Sequence, residues 1–343
     1  MKSKNQKKIK MNIGSIESGN LIVKVITSNR TSMTLPSNEK LQGKVVQPGH
    51  DSFATLGEHG IAMTIKILEG DSTHLILFDT AGYMQTLINN LTQFKIKLNE
   101  IEKLIISHGH LDHYGALIPI ISELKEGSEI YLSPICLTKG YYARTESGDE
   151  ILSEDFGSSF RKLKMEGKIK YYRRIPLNKK IVYDRANENN VKVIETTKPE
   201  KLYNGIITSG EIEIFDETEL PKGFYLGTSK TEYEKHTFRE EIAAYINIKD
   251  KGLVVITGCS HTGIINIVKH GQKLTGIDKI YALIGGFHKE RESSENIEEV
   301  VSFIEDLNPE ITCGMHCTGF EFNRIMHRHP SHVMGVIGTE FHL

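Results

Sequence analysis

Three histidines and one aspartate occupy six consecutive positions within the segment SHGHLDHYGAL at residues 107–117. Imidazole nitrogens and carboxylate oxygens at this spacing, in a turn before a helix, can converge on one or two cations. His108 and His110 are separated by one residue, so they point the same way from an extended segment and can bind one metal. Asp112 and His113 enter the predicted helix and can face a second position. A polar turn with Asp112 near the helix N-cap is the alternative, but four donors in one turn favour a metal site.

A turn of this length cannot surround a metal ion, so further ligands must come from other parts of the chain. Suitable side chains follow other predicted strands: Asp79, Cys259, His261, His288 and His316. The carboxyl ends of strands are the edge where sites form in open α/β sheets. We predict that His261 and His316 complete the metal shell. Cys259, His288 and Asp79 are expected either to bind metal or to contact its ligands, and Asp79 is better placed to orient a ligand histidine.

Short apolar runs bounded by glycine, proline, aspartate or serine predict the buried strands that position these residues. In the first third they cover 20–28, 62–68, 74–80 and 103–107, with helical periodicity at 83–94 and 113–125. In the last third, strands at 252–258, 279–286 and 310–316 alternate with helices at 263–274, 294–307 and 319–328. Strands that are first paired by short turns and then alternate with helices predict an α/β layered architecture.

The middle of the chain differs from both flanks, because short strand-like runs alternate there with charged loops. We predict one fold over 12–343, with halves at about 12–125 and 240–343. A strand-rich insertion at about 126–240 lies between them, and part of it completes the sheet. Residues 1–11 carry lysines and no acidic residue, which predicts a solvated, disordered basic tail.

Composition excludes several classes of partner. Of the 343 residues 38% are hydrophobic and 25% are charged, and the formal net charge of -2 shows no electrostatic footprint for nucleic acid. No apolar run approaches the roughly 18 residues of a membrane span, and the N-terminus lacks the apolar region of a secretory signal. The four cysteines are too few and too spread for a disulfide framework. We expect a cytoplasmic protein without nucleic-acid or membrane partners, and the sequence leaves a homo-oligomer open.

The spacing His-x-His-x-Asp-His, preceded by the aspartate of LFDTAGY, resembles the signature of the metallo-β-lactamase superfamily. The resemblance implies an αβ/βα four-layer sandwich of two facing sheets, with a one- or two-metal site at their shared edge. The segments TGCSHTGI, GGFH, HCTG and GTEFHL resemble a narrower branch, named for 7,8-dihydropterin-6-methyl-4-(β-D-ribofuranosyl)aminobenzene 5'-phosphate synthase. In archaea that activity joins a dihydropterin diphosphate to a ribosylaminobenzene phosphate, on the route to methanopterin, and releases diphosphate. Members of the branch can carry an extra α+β unit in mid-chain.

The chain departs from the superfamily pattern where a third histidine motif is expected. The nearest segment, IITSGEIEI, offers Glu211 instead of a histidine. By the resemblance, His261 can supply the missing ligand, and Cys259 stands where other members place a bridging aspartate or cysteine. This departure concerns which residues complete the shell.

The resemblance implies a metalloenzyme that binds one or two divalent cations through His108, His110, Asp112, His113, His261 and His316. Zinc is the metal we expect, with manganese, iron and magnesium as alternatives. The expected substrate is a small phosphorylated or diphosphate-bearing molecule, for which Asp112 would be catalytic by orienting a nucleophile or taking its proton. Lys139 and Arg144 are candidates for binding the substrate phosphates. Two alternatives stay open: a metallo-hydrolase of phosphodiesters or lactones, and a metal-binding sensor or scaffold without catalysis.

Overall fold

The computed structural model describes residues 10–36, 39–49, 52–138, 141–144, 165–173, 177–227 and 233–343. In chain order, the strands within these residues are β1 Leu21–Thr27, β2 Val45–Val46, β3 Ala62–Glu69, β4 Ser72–Phe78, β5 Lys103–Ile105, β6 Glu129–Leu132, β7 Tyr141–Arg144, β8 Lys170–Arg173, β9 Lys192–Glu195, β10 Lys201–Tyr203, β11 Ile206–Thr208, β12 Phe224–Gly227, β13 Tyr233–Lys235, β14 Ala244–Ile248, β15 Gly252–Thr257, β16 Ile280–Gly286, β17 Ile311–Met315 and β18 Glu340–His342. The α-helices are α1 Met84–Gln93, α2 Leu111–Tyr114, α3 Leu117–Ile120, α4 Lys179–Glu188, α5 Ile264–Thr275, α6 Ser294–Leu307 and α7 Phe320–Met326.

Two large sheets hold most of these strands. The first has the order β2-β18-β1-β3-β4-β5-β6-β9, and the second has the order β10-β11-β14-β15-β16-β17. In the first sheet β4, β5, β6 and β9 are parallel neighbours. In the second sheet β15, β16 and β17 are parallel neighbours. Parallel neighbours end at the same edge of a sheet, so each sheet gathers the residues that follow these strands along one edge.

Three apolar cores separate the layers. The first lies between the sheets and mixes side chains of both, such as Val23 and Ile65 with Ile246 and Ile284. The second packs the outer face of the first sheet against α1, α3 and α4. The third packs the outer face of the second sheet against α5, α6 and α7. The αβ/βα four-layer sandwich predicted from the sequence is therefore confirmed.

The helix predicted at 113–125 is wrong as a single element. The chain instead forms the short helices α2 and α3, which are separated at Gly115 and Ala116. Ala116 has φ -90° and ψ -1°, and the new helix begins at Leu117. This restart places Pro119 in the first turn of α3, where the N–H that proline lacks has no partner to lose.

A third, antiparallel sheet has the order β13-β12-β7-β8. Its strands lie between residues 141 and 235, inside the range predicted for the insertion. The same range also supplies β6 and β9 to the first large sheet, and β10 and β11 to the second.

The predicted basic tail lies mostly outside the described residues, which begin at Lys10. Met11 donates its backbone N–H to the Leu274 carbonyl oxygen at 2.8 Å, so this residue belongs to the fold. No helix in the described part of the chain is long and apolar enough to cross a membrane.

Candidate metal centre

Strands of both large sheets deliver polar side chains to one place, where the carboxyl ends of the two parallel sets meet. Asp79 follows β4, and the cluster from His108 to His113 follows β5. From the second sheet, Cys259 and His261 follow β15, His288 follows β16 and His316 follows β17. Most of these side chains are fully buried, whereas His110, Asp112 and His288 are partly exposed.

A first donor group is built by three histidine nitrogens. The Nδ1 atom of His110 lies 3.0 Å from Nε2 of His108 and 3.1 Å from Nε2 of His261. Nitrogens that share one zinc ion, each at about 2.0–2.1 Å, lie about 3 Å apart. Burial lowers the pKa of His108 and His261 well below the ordinary value, and that of His110 to about 4. The rings are therefore neutral and can offer lone pairs to a cation.

A second donor group lies beside the first and contains a carboxylate. Nε2 of His113 lies 3.1 Å from Sγ of Cys259 and 3.5 Å from Oδ2 of Asp112. The same Asp112 oxygen lies 3.3 Å from Nε2 of His316. Cys259 is common to both groups, because its sulfur is within 4.8 Å of donor atoms of His108 and His261 and also of His113 and His316.

A bound cation would explain a buried ring nitrogen of His316 that lacks a hydrogen-bond partner. Nδ1 of His316 is buried and has no hydrogen-bond partner in the described part of the chain, and Nε2 has only the Asp112 carboxylate at 3.3 Å. A buried polar atom without a partner is costly, and such atoms need an explanation. Nitrogen, carboxylate and thiolate donors in two adjoining groups suit one or two divalent cations, and the nitrogen and sulfur ligands suit zinc.

Asp79 orients two of the candidate ligand histidines, His108 and His113, from the side away from the cavity donors. Its Oδ2 atom accepts hydrogen bonds from Nδ1 of His113 and from Oγ of Ser107, both at 2.7 Å. Because Ser107 Oγ donates to Asp79, it is free to accept from Nδ1 of His108 at 2.9 Å. Both rings are therefore held with Nε2 facing the donor groups. A hydrogen bond to the other ring nitrogen fixes metal-binding histidines in the same way. Asp79 itself belongs to none of the donor groups found among the described residues.

The charges of the second donor group are strongly coupled. Burial alone would lower the pKa of His113, but Asp79 and Asp112 together raise it to about 10. Burial would raise the pKa of Asp112, but His113 and His316 hold it well below its usual range. Burial and the neighbouring Cys317 raise the pKa of the Cys259 thiol well above its usual value. A cation bound here would displace these protons, since metal ligands must be deprotonated.

Two residues that sequence reasoning missed hold the His261 turn. Glu241 is fully buried, and its carboxylate accepts hydrogen bonds from the backbone N–H groups of His261 and Thr262, each at 2.7 Å. The Phe238 ring stacks on His261, with centroids 4.3 Å apart and planes 12° apart. Both residues come from the charged loop before β14, where no spacing pattern marks them.

His59 is a third residue that the sequence analysis did not single out. Its Nε2 atom lies 3.7 Å from Oδ2 of Asp112, and its ring centroid lies 4.8 Å from that of His316. The side chain is 67% exposed, so His59 approaches the donors from the solvent side. The signal that could have identified it is the segment GEHG directly before β3.

The donors open into a cavity of about 250 Å³. Its described lining residues are His59, His110, Asp112, Phe224, Cys259, His261, His288, Glu290, Arg291, His316 and Cys317. The His288 ring lies on the cavity wall, with its centroid 4.3 Å from that of His261. His288 belongs to none of the donor groups formed by described residues, so the structure places it beside the candidate donors, on the wall of the cavity.

The predicted phosphate-binding pair is not located relative to the site. Lys139 lies outside the described residues, and Arg144 ends β7 with only its backbone described. Glu211, which stands where the superfamily pattern expects a histidine, forms an ion pair with Arg239.

Comparison with known proteins identifies the family of the chain. A family profile described as "Metallo-beta-lactamase superfamily" matches residues 67–153. The chain is 30% identical over 267 residues to 7,8-dihydropterin-6-methyl-4-(beta-D-ribofuranosyl)-aminobenzene-5'-phosphate synthase of Methanocaldococcus jannaschii, covering 77% of this chain and 82% of that protein. The chain belongs to the metallo-β-lactamase superfamily. Within the superfamily it falls in the branch of this synthase, as the sequence motifs predicted.

Two further comparisons concern a second relative and the fold. An uncharacterized protein of the same organism is 28% identical over 287 residues, covering 81% of this chain and 94% of that protein. The crystal structure of Tm1679, described as a metal-dependent hydrolase of the β-lactamase superfamily, matches with a TM-score of 0.65 at 22% identity. It covers 94% of this chain and 99% of that chain, so the superfamily fold extends over nearly all of the chain.

Proposed function

We propose that this protein is a metal-dependent enzyme that acts on a small phosphorylated or diphosphate-bearing molecule. The observation that carries the proposal is the pair of donor groups that share Cys259 at the bottom of an open cavity. A purely structural metal site is closed by protein ligands, whereas a catalytic one leaves a position for water or substrate. The four cysteines are free thiols, which supports a reducing, cytoplasmic location.

One or two divalent cations, which we expect to be zinc, would be held by His108, His110, Asp112, His113, His261 and His316 around Cys259. When bound, they would supply Lewis-acid stabilisation of a phosphoryl oxygen and a lowered pKa for bound water. The protein's own groups set the rest of the chemistry. Asp79 and Ser107 hold two ligand rings in one orientation, and the Glu241 carboxylate holds the turn that carries His261.

Asp112 is the residue best placed to take part in proton transfer. Its side chain is 25% exposed and lines the cavity. An ionised carboxylate at this wall can orient a nucleophile and accept its proton. In the synthase reaction the amine nitrogen of the aminobenzene partner would form the new bond to carbon as the bond to diphosphate breaks, and the same carboxylate would orient that amine, which loses a proton. Water must be kept out of the cavity.

The name of the M. jannaschii relative supports the synthase as the specific reaction, because that relative is matched over most of both chains. The test begins with metal analysis of the purified protein. Diphosphate release is then measured from a dihydropterin diphosphate, with and without the ribosylaminobenzene phosphate. Release only when both substrates are present supports the synthase. Hydrolysis of phosphodiesters or lactones without a second substrate would instead make the protein a hydrolase.

Asp112→Asn separates an enzyme from a sensor or scaffold. The substitution keeps the shape of the side chain but removes its charge. We expect turnover to fall by at least the 10²-fold or so typical of a lost acid–base group, with the circular dichroism spectrum unchanged. A variant that turns over as the wild type does would rule out this role for Asp112. A wild-type protein that binds metal and turns over none of the substrates would indicate the sensor.

A further inference from the structure

The loop after β16 is fixed to the protein at several points. Lys289 forms an ion pair with Glu219 at 3.0 Å, and both side chains are almost fully buried. Glu290 donates its backbone N–H to the Cys317 carbonyl oxygen at 3.2 Å. His288 has a positive φ of 48°, a conformation that needs support from its surroundings. The backbone that precedes Arg291 is therefore held in place at the metal-donor cavity.

Arg291 combines an unpaired guanidinium with a position on the cavity wall. Its side chain is exposed, yet it lines the same cavity as Asp112, His261 and His316. It forms no ion pair with the residues for which the structure gives side chains. Arg30 and Arg328 share that lack of an ion pair but do not line the cavity, and carboxylates bind the three surface arginines Arg185, Arg239 and Arg324.

Among the described residues that line the cavity, Arg291 is the one with a permanent positive charge. A guanidinium group presents a planar fork of N–H donors that matches two oxygens of one phosphate. A free guanidinium on a fixed loop at a metal cavity is suited to bind an anionic group of the substrate.

We propose that Arg291 is a substrate-binding residue that holds one phosphoryl group of a diphosphate whose other phosphoryl group lies at the metal donors. This inference deepens the proposed function and rests on it. Arg291 is a candidate in addition to Lys139 and Arg144, and no sequence pattern predicted it. Because the Lys289–Glu219 pair and the Cys317 contact already order the loop, little backbone freedom is lost when the anion binds.

The test measures the binding of inorganic diphosphate to the full-length, metal-loaded protein by calorimetry. Arg291→Gln should weaken binding by about 10- to 100-fold, the loss expected for hydrogen bonds to a charged group. The affinity of Arg291→Lys should lie between those of the wild type and Arg291→Gln, because lysine keeps the positive charge but lacks the planar fork of N–H donors. Arg324→Gln is the matched control, since Arg324 lies on α7 and does not line the cavity. Metal content is measured for every protein.

Three results would overturn the proposal. In the first, the wild type does not bind diphosphate. In the second, Arg291→Gln binds it as tightly as the wild type does, and in the third, Arg324→Gln loses as much diphosphate affinity as Arg291→Gln. Malonate, a dicarboxylate, is the second probe. Because a guanidinium also pairs with carboxylates, we expect the Arg291 substitutions to weaken malonate binding too. We expect the wild type to bind malonate more weakly than diphosphate, and equal affinities for the two anions would remove the phosphate specificity. Binding needs no turnover, so a failed synthase assay and a failed Arg291 assay are distinguishable.

Discussion

At the scale of single residues, the buried carboxylate of Asp79 fixes the ring orientation of two candidate ligands, His108 and His113. Its Oδ2 atom accepts hydrogen bonds from His113 and Ser107, and Ser107 passes the orientation on to His108. The position of Asp79 at the end of β4 was expected from the sequence, because the residue follows a buried apolar run. Its hydrogen bonds were not, because they depend on how β4 and β5 pair.

We expect Asp79→Asn to weaken metal binding by about 10- to 100-fold, the usual cost of losing a partner behind a metal ligand. The amide can offer His113 an N–H instead of an oxygen, so the ring loses the acceptor that fixes its orientation. Chelator competition gives the affinity. Asp216→Asn is the control, since this aspartate caps a short turn away from the centre. Equal affinities for the wild type and Asp79→Asn would show that Asp79 does not orient the ligands.

Other residues of the centre illustrate what a sequence alone cannot provide. The cluster from His108 to His113 was predicted because all its donors lie in one turn. Glu241, Phe238 and His59 were missed, since each acts through a contact with a residue far away in the chain. No local pattern distinguishes such residues from ordinary loop residues.

At the scale of elements, the ends of the strands determine the site. Every strand predicted to end at the centre does so in the structure, because a buried apolar run followed by a polar residue is a strong local signal. The helix expected at 113–125 was interrupted, because one proline and the turn at Ala116 outweigh an apolar period. The third sheet was foreseen only as a strand-rich region, since strand pairing depends on distant partners.

Gly258 allows β15 to approach β5 closely. A Cβ atom at this position would lie 2.2 Å from Oγ of Ser107 and 2.9 Å from Oδ2 of Asp79. We expect Gly258→Ala to lower the free energy of unfolding by about 1–3 kcal/mol, the usual cost of overpacking, and to weaken metal binding. Urea unfolding and chelator competition measure the two effects.

Gly49→Ala is the matched control for this substitution, because a Cβ atom there would meet nothing within 4 Å. If Gly258→Ala were as stable as Gly49→Ala and bound metal equally well, the close approach of the two strands would have no role.

At the scale of the whole molecule, the centre joins the two sheets. His108, His110 and His113 come from the first sheet, and Cys259, His261 and His316 come from the second. Each donor group found among the buried residues combines ligands of both. Metal binding at the proposed centre would therefore be linked to the packing of one sheet against the other, since any ligand that binds only the folded state raises its stability.

The metal-free protein should be sensitive to acid. Burial lowers the pKa of His108 and His261 well below the ordinary value, and that of His110 and His316 to about 4. As the pH falls below about 6.5, the unfolded chain takes up protons at these residues and the folded chain does not. The free energy of unfolding should then fall, by up to about 1.4 kcal/mol for each group and pH unit.

His113 does not offset this loss. Asp79 and Asp112 raise its pKa to about 10, so its stabilising contribution is fully present below pH 6.5 and is lost as the pH rises towards 10. Urea unfolding of chelator-treated protein at pH 6.5 and pH 5.0 tests the prediction. A free energy of unfolding that is constant between these values would mean that the histidines take up protons in the folded state as they do in the unfolded chain.

The contribution of ligands from both sheets also has a consequence for how the protein is made. The histidines that follow β5 emerge from the ribosome long before Cys259 and His316 have been synthesised. If the proposed centre holds a metal, a nascent chain would have only part of the ligand set and would bind the metal weakly. Tight binding would then be a late event in biosynthesis, after β17 has been made and has joined its sheet.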